Sequence, residues 1–140
     1  MSDDPYNLRR FVDAQAPLYE SVRTELRNGQ KETHWMWFIF PQIKGLGSSP
    51  AAVKFAIASR GEAQAFLDHP LLGPRLRECT QLVNAVPNRS IEDILGYPDD
   101  VKFRSSMTLF ATVAADARDF VDALGKFYGG EFDAATVERL

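Results

Sequence analysis

Apolar residues recur along most of this chain at the three-and-four spacing of a helix laid against a core. Leu8, Phe11 and Val12 make a short face that ends near Ala16-Pro17. Leu18, Val22 and Leu26 follow at intervals of four, and Asn28-Gly29 supplies a C-terminal stop. Ser49-Pro50 reads as an N-cap with proline in the first helical position, opening a helix that buries Val53, Ala56 and Ile57. Ser59-Arg60-Gly61-Glu62 has the spacing of a capping box, with Ala63, Phe66 and Leu67 on the inner face. Leu72, Leu76, Cys79, Val83 and Val86 form the cleanest stripe. Ser90 caps a brief helix carrying Ile91, Ile94 and Leu95 as far as Gly96. Phe103, Met107, Phe110 and Ala114 define another face, and Phe120, Leu124 and Tyr128 one more. Gly129-Gly130 breaks the last of these, and Asp133 caps a final turn or two ending at Leu140.

Two segments fit this pattern less well. Residues 34–40 (His-Trp-Met-Trp-Phe-Ile-Phe) and 108–113 (Thr-Leu-Phe-Ala-Thr-Val) are strand-like in composition and could pair as a small ribbon. Neither alternates, and the second continues the stripe running from Phe103, so both are expected to be helical. Pro41 ends the first in either case. As a helix, 34–40 is apolar around nearly its whole circumference and belongs inside the core. The expectation is an all-α protein: one compact domain over 1–140, with seven or eight short helices around a buried aromatic segment.

Composition changes this picture little. Of the 140 residues, 45% are hydrophobic and 25% charged, a globular balance rather than a disordered one. Sixteen basic against nineteen acidic residues give a net charge of -3, and no basic block marks a nucleic-acid surface. The single cysteine, Cys79, excludes an intramolecular disulfide and a thiolate zinc site, and its place in an apolar stripe makes it a core residue. The start, Met1-Ser2-Asp3-Asp4-Pro5, lacks the pattern of a secretory signal, and the longest apolar run is too short for a membrane span. A cytoplasmic protein with no membrane or nucleic-acid partner is expected; a protein partner stays open.

Candidate chemistry falls in two places. The run from Thr33 to Gln42 holds both tryptophans, and His34, Trp35, Trp37 and Gln42 bring together imidazole, indole and amide groups that stack on and hydrogen-bond a planar ligand. The alternative is that the indoles fill the core and His34 bonds nearby backbone. Lys44-Gly45-Leu46-Gly47 is a flexible loop without phosphate-loop spacing. In the second place, Lys102, Ser105, Ser106 and Leu109 share one helical stripe at about 100° per residue. A lysine with two hydroxyls on one face can hold a phosphate or carboxylate; the alternative is a solvated face. Asp99 and Asp100 are explained by capping and helix dipole, and His69 by the turn in Asp68-His69-Pro70-Leu71. No metal-ligand, hydrolase or cofactor motif occurs.

The run 34–47 resembles the signature of the bacterial family of unknown function DUF1810. So do Phe55-Ala56-Ile57 with Glu62-Ala63, the run 67–73 (Leu-Asp-His-Pro-Leu-Leu-Gly), and Asp100-Val101-Lys102 with the run 105–110 (Ser-Ser-Met-Thr-Leu-Phe). The resemblance covers essentially the whole chain. It implies a small, predominantly helical fold and no activity. Some members carry the label calpastatin, but that inhibitor is disordered in character and this composition is core-forming. The family's most distinctive polar residues correspond to His34, Gln42, Lys102, Ser105, Ser106 and Thr108.

Together these readings place a pocket between 34–42 and the helix of 102–114. It would bind a small anionic or nucleotide-like metabolite through His34, Trp35, Trp37, Gln42, Lys102, Ser105, Ser106 and Thr108. His34 is the expected general acid or base if there is chemistry. Two alternatives are a non-catalytic protein-interaction module, and an enzyme acting on ADP-ribose or NAD-derived metabolites.

Overall fold

The computed structural model describes residues 4–140. Helical periodicity is realised as helices α1 (Arg9–Gln15), α2 (Tyr19–Arg27), α3 (Met36–Ile39), α4 (Pro50–Lys54), α5 (Arg60–Asp68), α6 (Leu72–Asn84), α7 (Ile91–Leu95), α8 (Asp99–Val113), α9 (Arg118–Tyr128) and α10 (Ala134–Glu138). The count exceeds seven or eight because α3, α4, α7 and α10 are pieces of one turn or little more, separated from their neighbours by caps and turns. Residues 108–113 are the last turns of α8, not a strand. Among the described residues the only β-type pairing outside helices is one isolated parallel bridge, Ile43 to Ile57.

Local signals set most boundaries. The side chains of Ser49, Ser59, Ser90 and Asp133 accept from the backbone N–H three residues on, at Ala52, Glu62, Asp93 and Thr136. Gly129 closes α9 in the left-handed conformation, φ 64°. His69 begins α6 through its ring: Nδ1 accepts from the N–H groups of Leu71 and Leu72 at 3.1 and 3.2 Å.

Of the long helices, α9 packs on both α8 and α6, and α5 and α2 lie against α6. α8 is enclosed from Phe103 to Phe110, so every residue of that stretch except Arg104 is buried. A line of aromatic rings ties the layers together. Phe38 meets Phe55, Phe55 meets Phe11, and Phe11 meets Phe66 edge-on at 5.0 Å. Phe66 then touches Phe110, and Phe110 touches Phe120. Such pairs add about 0.5–1.5 kcal/mol each beyond area burial. α4 departs from expectation: none of its residues is buried, and Val53 is 64% exposed. Ile57 is fully buried, but beyond α4, through its bridge to Ile43.

The aromatic segment does enter the core. Trp35, Met36, Phe38, Ile39 and Phe40 are buried, wound as the single turn α3 and then extended into Pro41. Two buried polar groups hold it. Gln15 Nε2 donates to the Phe38 carbonyl at 2.7 Å. Glu25 accepts from the N–H groups of Glu32 and Thr33, from Thr33 Oγ1, and from Trp35 Nε1 at 3.0 Å. Burial alone would raise the Glu25 pKa; these bonds to the charged form outweigh it and hold the carboxyl below its usual value of 4.5. A carboxyl lowered in the folded state contributes stability above its unfolded pKa and loses it as pH falls through the folded one. Glu25→Gln is therefore expected to cost about 1–3 kcal/mol at neutral pH and progressively less as pH falls below the usual carboxyl value of 4.5. Urea melts across that range test this; an equal deficit at both ends would contradict it.

Candidate functional site

Three elements distant in sequence meet at one open cleft of about 490 Å³. The first is 37–52, from Trp37 through the loop into α4. Its backbone is pinned where Ile57 N–H donates to the Gln42 carbonyl and Lys44 N–H to the Ile57 carbonyl, both at 2.8 Å. That pairing fixes Gln42 while leaving its carboxamide without a protein partner. The second is the start of α8 with the residues before it: Tyr97, Pro98, Val101, Lys102 and Ser105. The third is the turn into α10, with Asp133 and Ala135.

Lys102 extends across the half-buried indole of Trp37, with Nζ 4.5 Å from the ring centroid, an arrangement in which the ring quadrupole attracts the cation. It also stands 3.6 Å from Asp99 Oδ1, but the other Asp99 oxygen is taken by Lys31 at 2.9 Å. The ammonium thus keeps capacity for another acceptor. Also on the cleft, Asp133 is held by α8 at two points: its N–H donates to Thr108 Oγ1 at 2.8 Å, and its Oδ2 accepts from Ser105 Oγ at 3.2 Å.

Of the residues the sequence pointed to, Trp37, Gln42, Lys102 and Ser105 share the cleft. The others do not line it. His34 is exposed, in the turn before the aromatic segment enters the core, so no imidazole lines the cleft. Trp35 is fully buried, with its N–H on Glu25. Ser106 faces the core with an Oγ that has no partner. Thr108 is fully buried and bonds the Arg104 carbonyl while holding Asp133. The stripe drawn on α8 splits because that helix is packed on nearly all sides: Lys102 and Ser105, nearest its open end, reach the cleft, and Ser106 and Leu109 turn into the core.

Sequence reasoning missed Asp133 as a cleft residue, reading it only as a cap. It is a cap, and the second position follows from α10 docking on α8. Tyr97, at 76% exposure, and Val101, at 51%, form an apolar rim that no periodicity announced. Cys79 lies elsewhere, fully buried; burial pushes its thiol up to about 12, too high for a nucleophile at neutral pH. Among the described residues no helix is long and apolar enough to cross a membrane, and no three His, Cys, Asp or Glu side chains group as metal ligands.

The family model described as a protein of unknown function, DUF1810, matches residues 5–140. A solved structure, that of the conserved hypothetical protein Rv1873 from Mycobacterium tuberculosis, is similar over 98% of this chain and 98% of its own, at 61% identity and a TM-score of 0.97. No curated protein matches the chain.

Proposed function

We propose that this chain, which belongs to the DUF1810 family, binds a small planar metabolite bearing an anionic group in the cleft between Trp37 and α8. The observation that carries this is the convergence of Trp37, Gln42, Lys102 and Ser105 on one cavity, from segments some sixty residues apart. Indole supplies a stacking face, the Gln42 carboxamide a donor and an acceptor, and Lys102 a charge not fully committed to Asp99. The size falls within the usual range for small-molecule sites, about 300–1,000 Å³. Recognition rather than chemistry is what these groups support, since the imidazole expected to act as acid or base stands outside.

The test is a titration of aromatic carboxylates, followed by tryptophan fluorescence and thermal shift. Ligand that binds only the native state raises the melting temperature, and stacking on Trp37 changes emission. Lys102→Ala is expected to weaken binding about tenfold, the effect of losing one charge-assisted bond. It should leave stability within about 1 kcal/mol, because the contact to Asp99 is long at 3.6 Å and Asp99 keeps its closer partner Lys31. Undiminished affinity in Lys102→Ala would remove the reading.

A second reading, a protein-interaction module, draws on the exposed Tyr97 and Val101 at the rim. It requires Tyr97→Ala to break a complex that Lys102→Ala leaves intact.

A further inference from the structure

We infer that the ligand of this cleft is a zwitterion of no net charge, a planar ring carrying both a carboxylate and an ammonium group, and not a polyphosphate. The inference rests on the reading above that the cleft is a ligand site, and specifies the charge of what enters it. Among the lining residues only Lys102 and Asp133 carry formal charge at neutral pH, one of each sign. They do not neutralise one another: Lys102 pairs with Asp99 and the Trp37 ring, and Asp133 has no cation within ion-pair distance.

Asp133 is nevertheless rigidly placed. Its Oδ2 accepts from Ser105 Oγ, from Thr136 N–H and from Thr136 Oγ1 at 2.6 Å. Oδ1 makes no bond, so the carboxylate keeps an acceptor and its charge on the cleft wall. Ser105, which holds it, is one helical turn beyond Lys102, and residues so spaced stand about 5–6 Å apart on a helix surface. A cation carried by one residue of α8 and an anion held by another, one turn on, thus line the same cleft as the Trp37 indole.

That arrangement selects by charge. A di- or triphosphate would bring several negative charges to a wall with a single lysine and a carboxylate close by. A simple anion satisfies Lys102 and leaves Asp133 unanswered. An aromatic zwitterion satisfies both, its carboxylate at Lys102, its ammonium at Asp133 and its ring against Trp37.

The experiment follows the two indole N–H resonances of the intact protein. Trp35, fully buried and bonded to Glu25, serves as internal reference, and Trp37→Phe assigns the other signal. The probes are L-phenylalanine, 3-phenylpropanoate (the same skeleton without the ammonium) and ATP. Phenylalanine is expected to bind about tenfold tighter than 3-phenylpropanoate, the scale of one charge-assisted hydrogen bond, and ATP to leave Trp37 unmoved. Asp133→Asn should erase that preference while keeping α10 capped, because asparagine caps as well as aspartate. Equal binding of the zwitterion and the anion, or a preference that survives Asp133→Asn, would overturn the charge assignment and leave the ligand site standing. If no probe shifts the Trp37 signal, the site and the assignment fall together.

Discussion

Gly73→Ala is expected to destabilise the protein by about 3 kcal/mol or more, lowering the melting temperature by roughly 10 °C for a chain of this size. Gly73 lies in the first turn of α6, where α6 leaves the end of α5. A Cβ there would stand 2.0 Å from the Leu67 carbonyl oxygen and 2.9 Å from its carbon. Both are backbone atoms of α5, so no side-chain rotation relieves the overlap. The two helices would have to separate, and Leu72 and Phe66, both fully buried beside that junction, would lose packing. Gly125, on α9 with nothing within 4 Å of its Cβ position, is the control. Gly125→Ala should instead gain a few tenths to about 1 kcal/mol from helix propensity. Thermal melts of both variants decide the point; a Gly73→Ala protein as stable as its parent would mean that α5 and α6 do not approach so closely.

Loss of the Arg10 guanidinium is expected to cost about 3–5 kcal/mol, the range for breaking a buried ion pair from one side. Its Nε donates to the Lys54 carbonyl. One terminal nitrogen donates to the carbonyls of Tyr6 and Asn7, the other to the Ala56 carbonyl and to Glu62 Oε2 at 2.6 Å. One planar fork thereby joins the segment before α1, the end of α4 and the start of α5. The side chains of Arg10 and Glu62 are 13% and 4% exposed, so solvent screens the pair weakly. Arg10→Met leaves Glu62 as a buried carboxylate beside orphaned carbonyls, and Arg10→Lys restores charge without the fork, so an intermediate loss is expected. Combining Arg10→Met with Glu62→Met should cost less than the sum of the single changes, since the double variant buries no lone charge. Urea unfolding gives all these values, and a loss under 1 kcal/mol for Arg10→Met would contradict the account.

The same Arg10 shows where local reading stops. Ser59 and Glu62 have the spacing of a capping box, and Ser59 does cap α5. Glu62, however, reaches Ala58 N–H at 2.9 Å, one residue before the position the box expects, while its other oxygen holds Arg10. The motif was visible in the chain; its register was set by a partner fifty-two residues away. Val53 is a similar case. A helix opened by Ser49-Pro50 was legible, but whether anything packs on it was not, and α4 lies on the surface.

At the cleft the division is sharper. Trp37, Gln42, Lys102 and Ser105 were identifiable because indole, amide, ammonium and hydroxyl groups stand out in segments otherwise rich in apolar residues. His34 and Trp35 share that stretch and yet part company. The chain turns inward between them, with Glu25 drawing the Trp35 indole into the core and leaving His34 in water. Asp133 carried only a cap signal, because its second position depends on Ser105 and Thr108 of another helix.

What the amino-acid order alone determined is the helical class, the caps and stops, and the aromatic core, because each rests on interactions within a few residues or on the periodicity of apolar side chains. Which hydrophilic groups stand together was decided only by tertiary packing. α8 is enclosed by its neighbours except near its beginning, so residues one position apart, Ser105 and Ser106, face a cleft and a core respectively, and only the placement of α10 and the loop before α4 determines which is which.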